Sequence, residues 1–280
     1  VSGVSAAAMA TLRTGFFRYA LLRLAGAGAT IIVTIGVLAL LPGSSGGLDA
    51  NGLALAGQRL GVTLPLTFIA LLIGTLAGVV LGYVAATSHI PGVAAPLSAL
   101  GRVLVIFPPF WIGMVLILIV TGVFGLSPPG GFVPWGQDAG GAFSSLMLPA
   151  LALALPLAAT LMRRVQLELA DRIVSAEHFS RRVNGLGADQ ATLAQALALL
   201  PSLAARVGRL LGPLLAGAMI IENVFYLPGL GRLLFEAVTM RNMPVVAAAI
   251  LLLVICSALG RRAGALGRAA LAPRPAARAA

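Results

Sequence analysis

"IIENVFYLPGLGRLLFEAVTMRNMPVV", residues 220 to 246, joins two apolar runs by an uncommon route. The first run reaches Ile221 and meets Glu222 and Asn223. Pro228, Gly229, Leu230 and Gly231 then form a turn, a short amphipathic stretch follows, and Pro244 opens the second run. A few polar residues would connect two helices. The acid, the glycines and the half-helix therefore need a reason beyond connection.

The runs on either side say what kind of molecule this is. Hydrophobic residues make up 59% of the 280 residues and charged residues 10%, and the mean hydropathy is +1.03. A soluble domain of that size needs far more polar surface, so the composition predicts an all-α integral membrane protein. All 19 basic residues are Arg. Without Lys there is no ordinary P-loop and no Schiff base. The single Cys256 excludes an internal disulfide, and His89 and His178 stand too far apart to suggest a metal centre. No catalytic, metal or cofactor site is expected in this chain.

A bilayer-crossing helix needs about 20 apolar residues. Six runs qualify, at roughly 19–42, 62–86, 103–126, 146–165, 203–224 and 244–260. Arg13, Arg18 and Arg23 lead into the first, which reads as a span, not a cleaved leader. With residues 1–18 inside, the cytoplasmic side collects Arg13, Arg18, Arg23, Arg102, Arg163, Arg164, Arg172, Arg181, Arg182, Arg206, Arg209, Arg261, Arg262, Arg268, Arg274 and Arg278. The outside receives Arg59, Arg232 and Arg241, a ratio of 16 to 3 that the positive-inside rule reads as both termini cytoplasmic. Topology thus accounts for the net charge of +11 and for the basic tail 261–280, and nucleic acid is not expected as a partner.

Pro65, Pro108, Pro109, Pro149, Pro156 and Pro213 lie in or beside these runs, and Gly74, Gly78 and Gly82 recur every fourth residue. Proline-freed carbonyls favour helices that pack in a bundle, and the glycines let a neighbouring helix come close. Ordinary packing is the plainer reading of both.

Between the fourth and fifth runs lies the longest cytoplasmic connection, 166–201. Leu169, Ile173, Ala176, Phe179 and Val183 share one helix face, and Glu168–Arg172 and Glu177–Arg181 are i,i+4 pairs in the favourable order. Gly185, Leu186 and Gly187 break that helix, and Asp189 is placed to cap the next. The hairpin reads equally as a helix lying on lipid headgroups or as a docking knob.

An Arg-rich helix, then "NGLG", then a helix reaching Pro201 resembles the EAA loop of bacterial ABC-importer permeases. The opening stretch resembles the dipeptide, oligopeptide and nickel branch, which carries acid-x-Val-Phe, then Pro-Gly-Leu-Gly-Arg-Leu-Leu, then Pro-Val-Val. Here these are Glu222 to Phe225, Pro228 to Leu234, and Pro244 to Val246. Residues 107–132 and 148–165 are similar to the branch's third and fourth spans, and the likeness runs in order from about 60 to 260.

The resemblance implies a permease subunit with residues 19–260 as its membrane domain, half of a pore in the bacterial inner membrane. It implies a second permease, two ATP-binding subunits that carry ATP and Mg, an extracytoplasmic substrate-binding protein, and membrane lipid as partners. It assigns ATPase coupling to Glu177, Phe179, Arg181, Arg182, Gly185, Leu186, Gly187 and Asp189. It assigns an outer gate or receptor contact to Glu222, Pro228, Gly229, Gly231 and Arg232, with Leu233, Leu234 and Val238 burying an apolar face. Glu222 would face the bundle interior, water, or an Arg partner such as Arg232 or Arg241, or simply mark the interface. The outer loop, 43–61, is short for the branch, and Phe179, Ser180 and Arg181 replace the motif's best form, which leaves peptide, nickel or another small solute open as cargo. A stand-alone secondary transporter or channel would want ionisable groups in mid-span, and none of the eight acids lies there. An intramembrane enzyme would want a Ser–His pair, paired Asp or a metal within the bilayer, and none is in place.

Overall fold

In the computed structural model, residues 34–35, 49–88, 91–125, 131–183 and 188–272 are described. They contain helices and no strand. The helices are α1 (Ala50–Thr87), α2 (Pro91–Ile106), α3 (Pro109–Gly122), α4 (Ala139–Val183), α5 (Ala188–Leu197), α6 (Leu200–Val224), α7 (Leu230–Thr239) and α8 (Met243–Leu271). Four stretches are long and apolar enough to cross a membrane: Ala50–Thr87, Ala139–Ser175, Gln190–Val224 and Met243–Leu271. The expected first span, 19–42, lies outside the described residues except for 34 and 35.

The third expected span, 103–126, is not one helix. The chain bends by 112° between α2 and α3. Pro109 has no N–H to donate back along the chain, and Pro108 sits in an extended conformation at φ −63 and ψ 148, so the helix stops at Ile106 and restarts. Helix also fills most of the expected loop before residue 103. α1 begins at Ala50, not 62, and one face of its first turns is buried. Ala56 is fully enclosed, with Leu53 and Leu60 beside it, against Leu230, Leu233 and Val245. α4 runs unbroken for 45 residues, about 68 Å at 1.5 Å per residue, through the fourth span and into the hairpin. α8 likewise passes residue 260 and ends at Leu271.

Two helix pairs form the body. α1 and α4 lie side by side in the same direction, joined along the glycine stripe. A Cβ on Gly74 would stand 2.7 Å from Leu157 Cδ2, one on Gly78 would stand 2.7 Å from the Ala158 carbonyl oxygen, and one on Gly82 would stand 2.8 Å from that of Met162. The expectation of close approach is met. α6 and α8 run antiparallel and touch backbone to backbone. A Cβ on Gly208 would lie 2.6 Å from the Gly260 carbonyl oxygen and 2.7 Å from Gly264 Cα. Gly208/Gly212 and Gly260/Gly264 are thus two facing glycine pairs of the small-xxx-small kind.

Leu66, Leu146, Leu153, Leu161 and Ile221 are almost wholly enclosed and make the core where α1, α4 and α6 meet. On the other side of α1, Phe68, Leu72, Leu76 and Val80 form an exposed apolar row four residues apart, fit to face lipid. α7 caps one end of the bundle and the α4–α5 hairpin closes the other. Arg59, Arg232 and Arg241 fall at the α7 end, while Arg163, Arg206, Arg209, Arg261 and Arg268 fall at the hairpin end.

Candidate functional site

At the α7 end the structure explains the acid, the glycines and the half-helix together. The first N–H groups of any helix lack partners within it. In α7 they are met by side chains from two other helices. Glu222 of α6 accepts from the backbone N–H of Gly231 at 2.7 Å and of Arg232 at 3.3 Å. Thr63 of α1 accepts from Leu230 N–H at 2.8 Å and donates its hydroxyl to Glu222 at 2.6 Å. Both side chains are completely buried. A carboxylate at a helix N-terminus also meets the positive end of the helix dipole. An acid that would be costly in lipid is therefore enclosed and fully engaged.

The glycines make this approach possible. A Cβ on Gly229 would collide with the Glu222 carboxyl group, and one on Gly231 would collide with the α6 backbone at Met219. Arg59 of α1 adds a bond from Nη1 to the Pro228 carbonyl at 3.3 Å, and Glu222's own carbonyl accepts from Leu227 N–H at 2.9 Å. The turn needs a left-handed residue, and Tyr226 supplies it at φ 54, a conformation that costs a non-glycine residue on the order of 1 kcal/mol.

Of the five residues expected here, Glu222, Gly229, Gly231 and Arg232 meet directly, and Pro228 joins through Arg59. Neither arginine expected to pair with Glu222 does so. Arg232 offers its backbone N–H, while its guanidinium bonds to Glu236 at 3.0 Å and to the Tyr226 carbonyl at 3.1 Å and lies over the Tyr226 ring. Arg241 is exposed at the far end of α7. The expected apolar face is also rotated. Leu233 and Ala237 are buried, Leu234 is half-buried, and Val238 is 53% exposed. Val238 lines instead an open groove of about 740 Å³ with Ile220, Tyr226, Arg232 and Phe235. Thr63 is not singled out by the sequence and Arg59 only as one of three outward arginines; their only signal as a joint is two polar residues four apart at the start of an apolar run.

At the other end, α4 and α5 form the expected two legs of a hairpin. Gly185, Leu186 and Gly187 lie outside the described residues, as do the side chains of Glu177, Phe179, Arg181, Arg182 and Asp189. Asp189 is the second residue of α5, inside its first turn and not at its cap. The expected Glu168–Arg172 pair is replaced by a longer-range one. Arg206 Nη2 of α6 bonds Glu168 Oε1 at 2.7 Å, because α6 returns alongside α4 and brings a cation to that face. Below it, Val165, Leu169, Leu199 and Leu203 make a small buried cluster at the hairpin base. Among the described residues no group of His, Cys, Asp and Glu is arranged to hold a metal ion.

Comparison with known proteins bears on both ends at once. Residues 78–271 match the family model described as the binding-protein-dependent transport system inner membrane component. The chain is 32% identical over 149 residues to a provisionally named peptide transport system permease protein of Brucella abortus (strain 2308), which covers 52% of this chain and 47% of that protein. It is 35% identical over 150 residues to the glutathione transport system permease protein GsiC of Escherichia coli (strain K12), covering 52% of this chain and 45% of that one. The chain spans about half the length of the curated relatives it matches.

Proposed function

The chain belongs to the binding-protein-dependent transport system inner membrane component family, and from that premise we propose that it is the permease subunit of an ATP-driven peptide importer. In this reading α7 faces the exterior and the hairpin faces the cytoplasm of a bacterium, with both termini inside and residues 19–42 as a further span. The arginine distribution supports that orientation. A second, related permease completes the pore. Two ATP-binding subunits hold the hairpins around residues 177–190 and bind ATP and Mg themselves; this chain does no chemistry. An extracytoplasmic binding protein delivers the solute to the open groove beside α7. The names of the relatives support a peptide-like cargo, glutathione included, and the receptor selects it.

The observation that carries this reading is the continuity of α4. One helix of 45 residues joins the hairpin to the central core, so force applied at the hairpin reaches the core without crossing a joint. ATP closes the ATPase dimer, the hairpins move with it, and the bundle shifts between two arrangements that the ATPase states stabilise unequally. Arg181 and Arg182 dock an acidic cleft, and Gly185 and Gly187 let the tip come close.

The test is purification of the tagged chain from its native membranes in mild detergent. An ATP-binding protein and a second permease are expected to co-purify, and the ATP-binding protein alone is expected to be lost on Arg181→Glu with Gly185→Glu. Recovery of the chain by itself, moving a solute into liposomes without ATP, would overturn the importer reading.

A further inference from the structure

We propose that Glu168 and Arg206 are a positioning pair for the coupling step, a strut that makes α6 follow the hairpin. The proposal rests on the importer reading above. The second leg of the hairpin, α5, meets α6 at a two-residue turn, Ala198 and Leu199. The turn tightens the helix by one residue without a sharp bend, since Ala198 N–H still bonds the Ala194 carbonyl, Leu203 N–H bonds that of Leu199, and 190–224 runs on as one stretch. Leu199 N–H bonds Ala196 three residues back, and Pro201 in the first turn of α6 has no N–H to give. Force arriving through α5 alone reaches α6 only across that tightened turn. The Glu168–Arg206 contact bypasses the turn, joining the rigid leg α4 to α6 well inside both helices, at 2.7 Å. Ser202, one turn earlier on α6, places its hydroxyl 3.5 Å from the other Glu168 oxygen.

The chemistry suits a strut that engages and releases. Both side chains are partly solvated, at 25% and 32% exposure, so separation strands neither charge in apolar surroundings. The guanidinium grips through one terminal nitrogen, while its Nε–H is buried without a hydrogen-bond partner among the described residues. A two-pronged Arg–carboxylate grip is the stronger geometry, and the pair does not use it in this arrangement.

The experiment uses the purified assembly in nanodiscs, with Val238→Cys as reporter in a Cys256→Ala background and a charged maleimide as the probe. In the parent, ATP with Mg is expected to change the labelling rate at Val238→Cys. Glu168→Gln with Arg206→Met should still co-purify with the ATPase and hydrolyse ATP, yet its labelling response should fall by about fivefold or more, the lower range of coupling between sites. The charge reversal Glu168→Arg with Arg206→Glu should recover the response. A full response from the neutral double variant, or an intact charge-reversed assembly that stays unresponsive, would overturn the strut. No nucleotide response in the parent would overturn the importer reading and the strut with it.

Discussion

Two carboxylates fasten α6 to its neighbours, one at each end, and they are held by opposite means. Glu222 is fully enclosed and bonded to two backbone N–H groups and a hydroxyl, none of which can move without moving a helix. Glu168 is about a third exposed and meets the flexible end of one arginine. The first is a fixed joint and the second a releasable one. Between them α6 meets α8 backbone to backbone at glycines, and meets α1 and α4 through side chains. An apolar groove of about 630 Å³ opens between α1, α6 and α8, and a cavity of about 160 Å³ lies where Pro109, Pro156 and Pro213 come together. Among the described helices, α1–α4 and α6–α8 are two close-packed pairs, and the polar bonds between them are enclosed at the α7 end and water-reached at the hairpin end, where a small apolar cluster also joins α4 to α6.

The comparison breaks most readily at Glu222. Glu222→Ala leaves buried N–H groups at the start of α7 unpaired, and should cost on the order of 3 kcal/mol, read as a lower melting temperature of the detergent-solubilised assembly. Glu222→Gln should cost about 1 kcal/mol or less. Its carbonyl oxygen can accept from Gly231 and Arg232, and its amide can donate to Thr63, whose hydroxyl can turn to the Arg59 carbonyl 3.5 Å away. ATP-dependent uptake should then survive Gln and fail with Ala. Uptake lost with Gln in a normally stable protein would show that the acid works by its charge, as a coupling-ion or substrate site, and not as a joint.

Next come the glycine welds. Gly78→Val and Gly208→Val push a side chain into a neighbouring backbone, which cannot rotate aside, and overpacking of that kind costs about 2 kcal/mol. Gly57→Val, where a Cβ would meet nothing within 4 Å, should change little and serves as the control. Equal melting temperatures for all three would mean that the two pairs are not rigid bodies. Thr63→Val is smaller again. It removes one donor and one acceptor from the fixed joint while keeping the volume, for a loss of about 1 kcal/mol by the same melt.

How much of this was legible in the sequence depends on the range over which each signal acts. The span positions of α4 and α6 and the Gly74, Gly78 and Gly82 stripe are local patterns, and the described helices follow them; the break expected at Gly185 and Gly187 lies outside the described residues. The break at Pro108 and Pro109 was missed because hydropathy measures what a stretch is made of, not where it points, and the apolar run continues through both prolines. The early start of α1 was hidden by "NGLALAGQRLG", whose glycines argue against helix until α7 and α8 bury it. Gly260 and Gly264 were hidden by the Arg261–Arg262 pair between them, which reads as the edge of the membrane. Thr63 is an unremarked hydroxyl until the fold brings Glu222, 159 positions later, into reach. Glu168 shows the same lesson in reverse. Its local partner Arg172 satisfied a sound helical rule, and a cation 38 positions away took its place.

The smallest expected effect on stability bears on the releasable pin. Glu168→Gln with Arg206→Met removes both charges from a contact that water already reaches, and such pairs contribute about 0–1 kcal/mol. The assembly's melting temperature should therefore stay close to that of the parent, while the coupling measured at the opposite end collapses. That dissociation is what separates a strut from a prop. Had the pair been built for stability, burying it as Glu222 is buried would have served better, with backbone donors in place of one swinging guanidinium. If the neutral double variant melts as far below the parent as Glu222→Ala, the hairpin end is as fixed as the α7 end. The two helix pairs then move only as one block, and motion from the hairpin must reach the pore at the boundary with another subunit instead of within this chain.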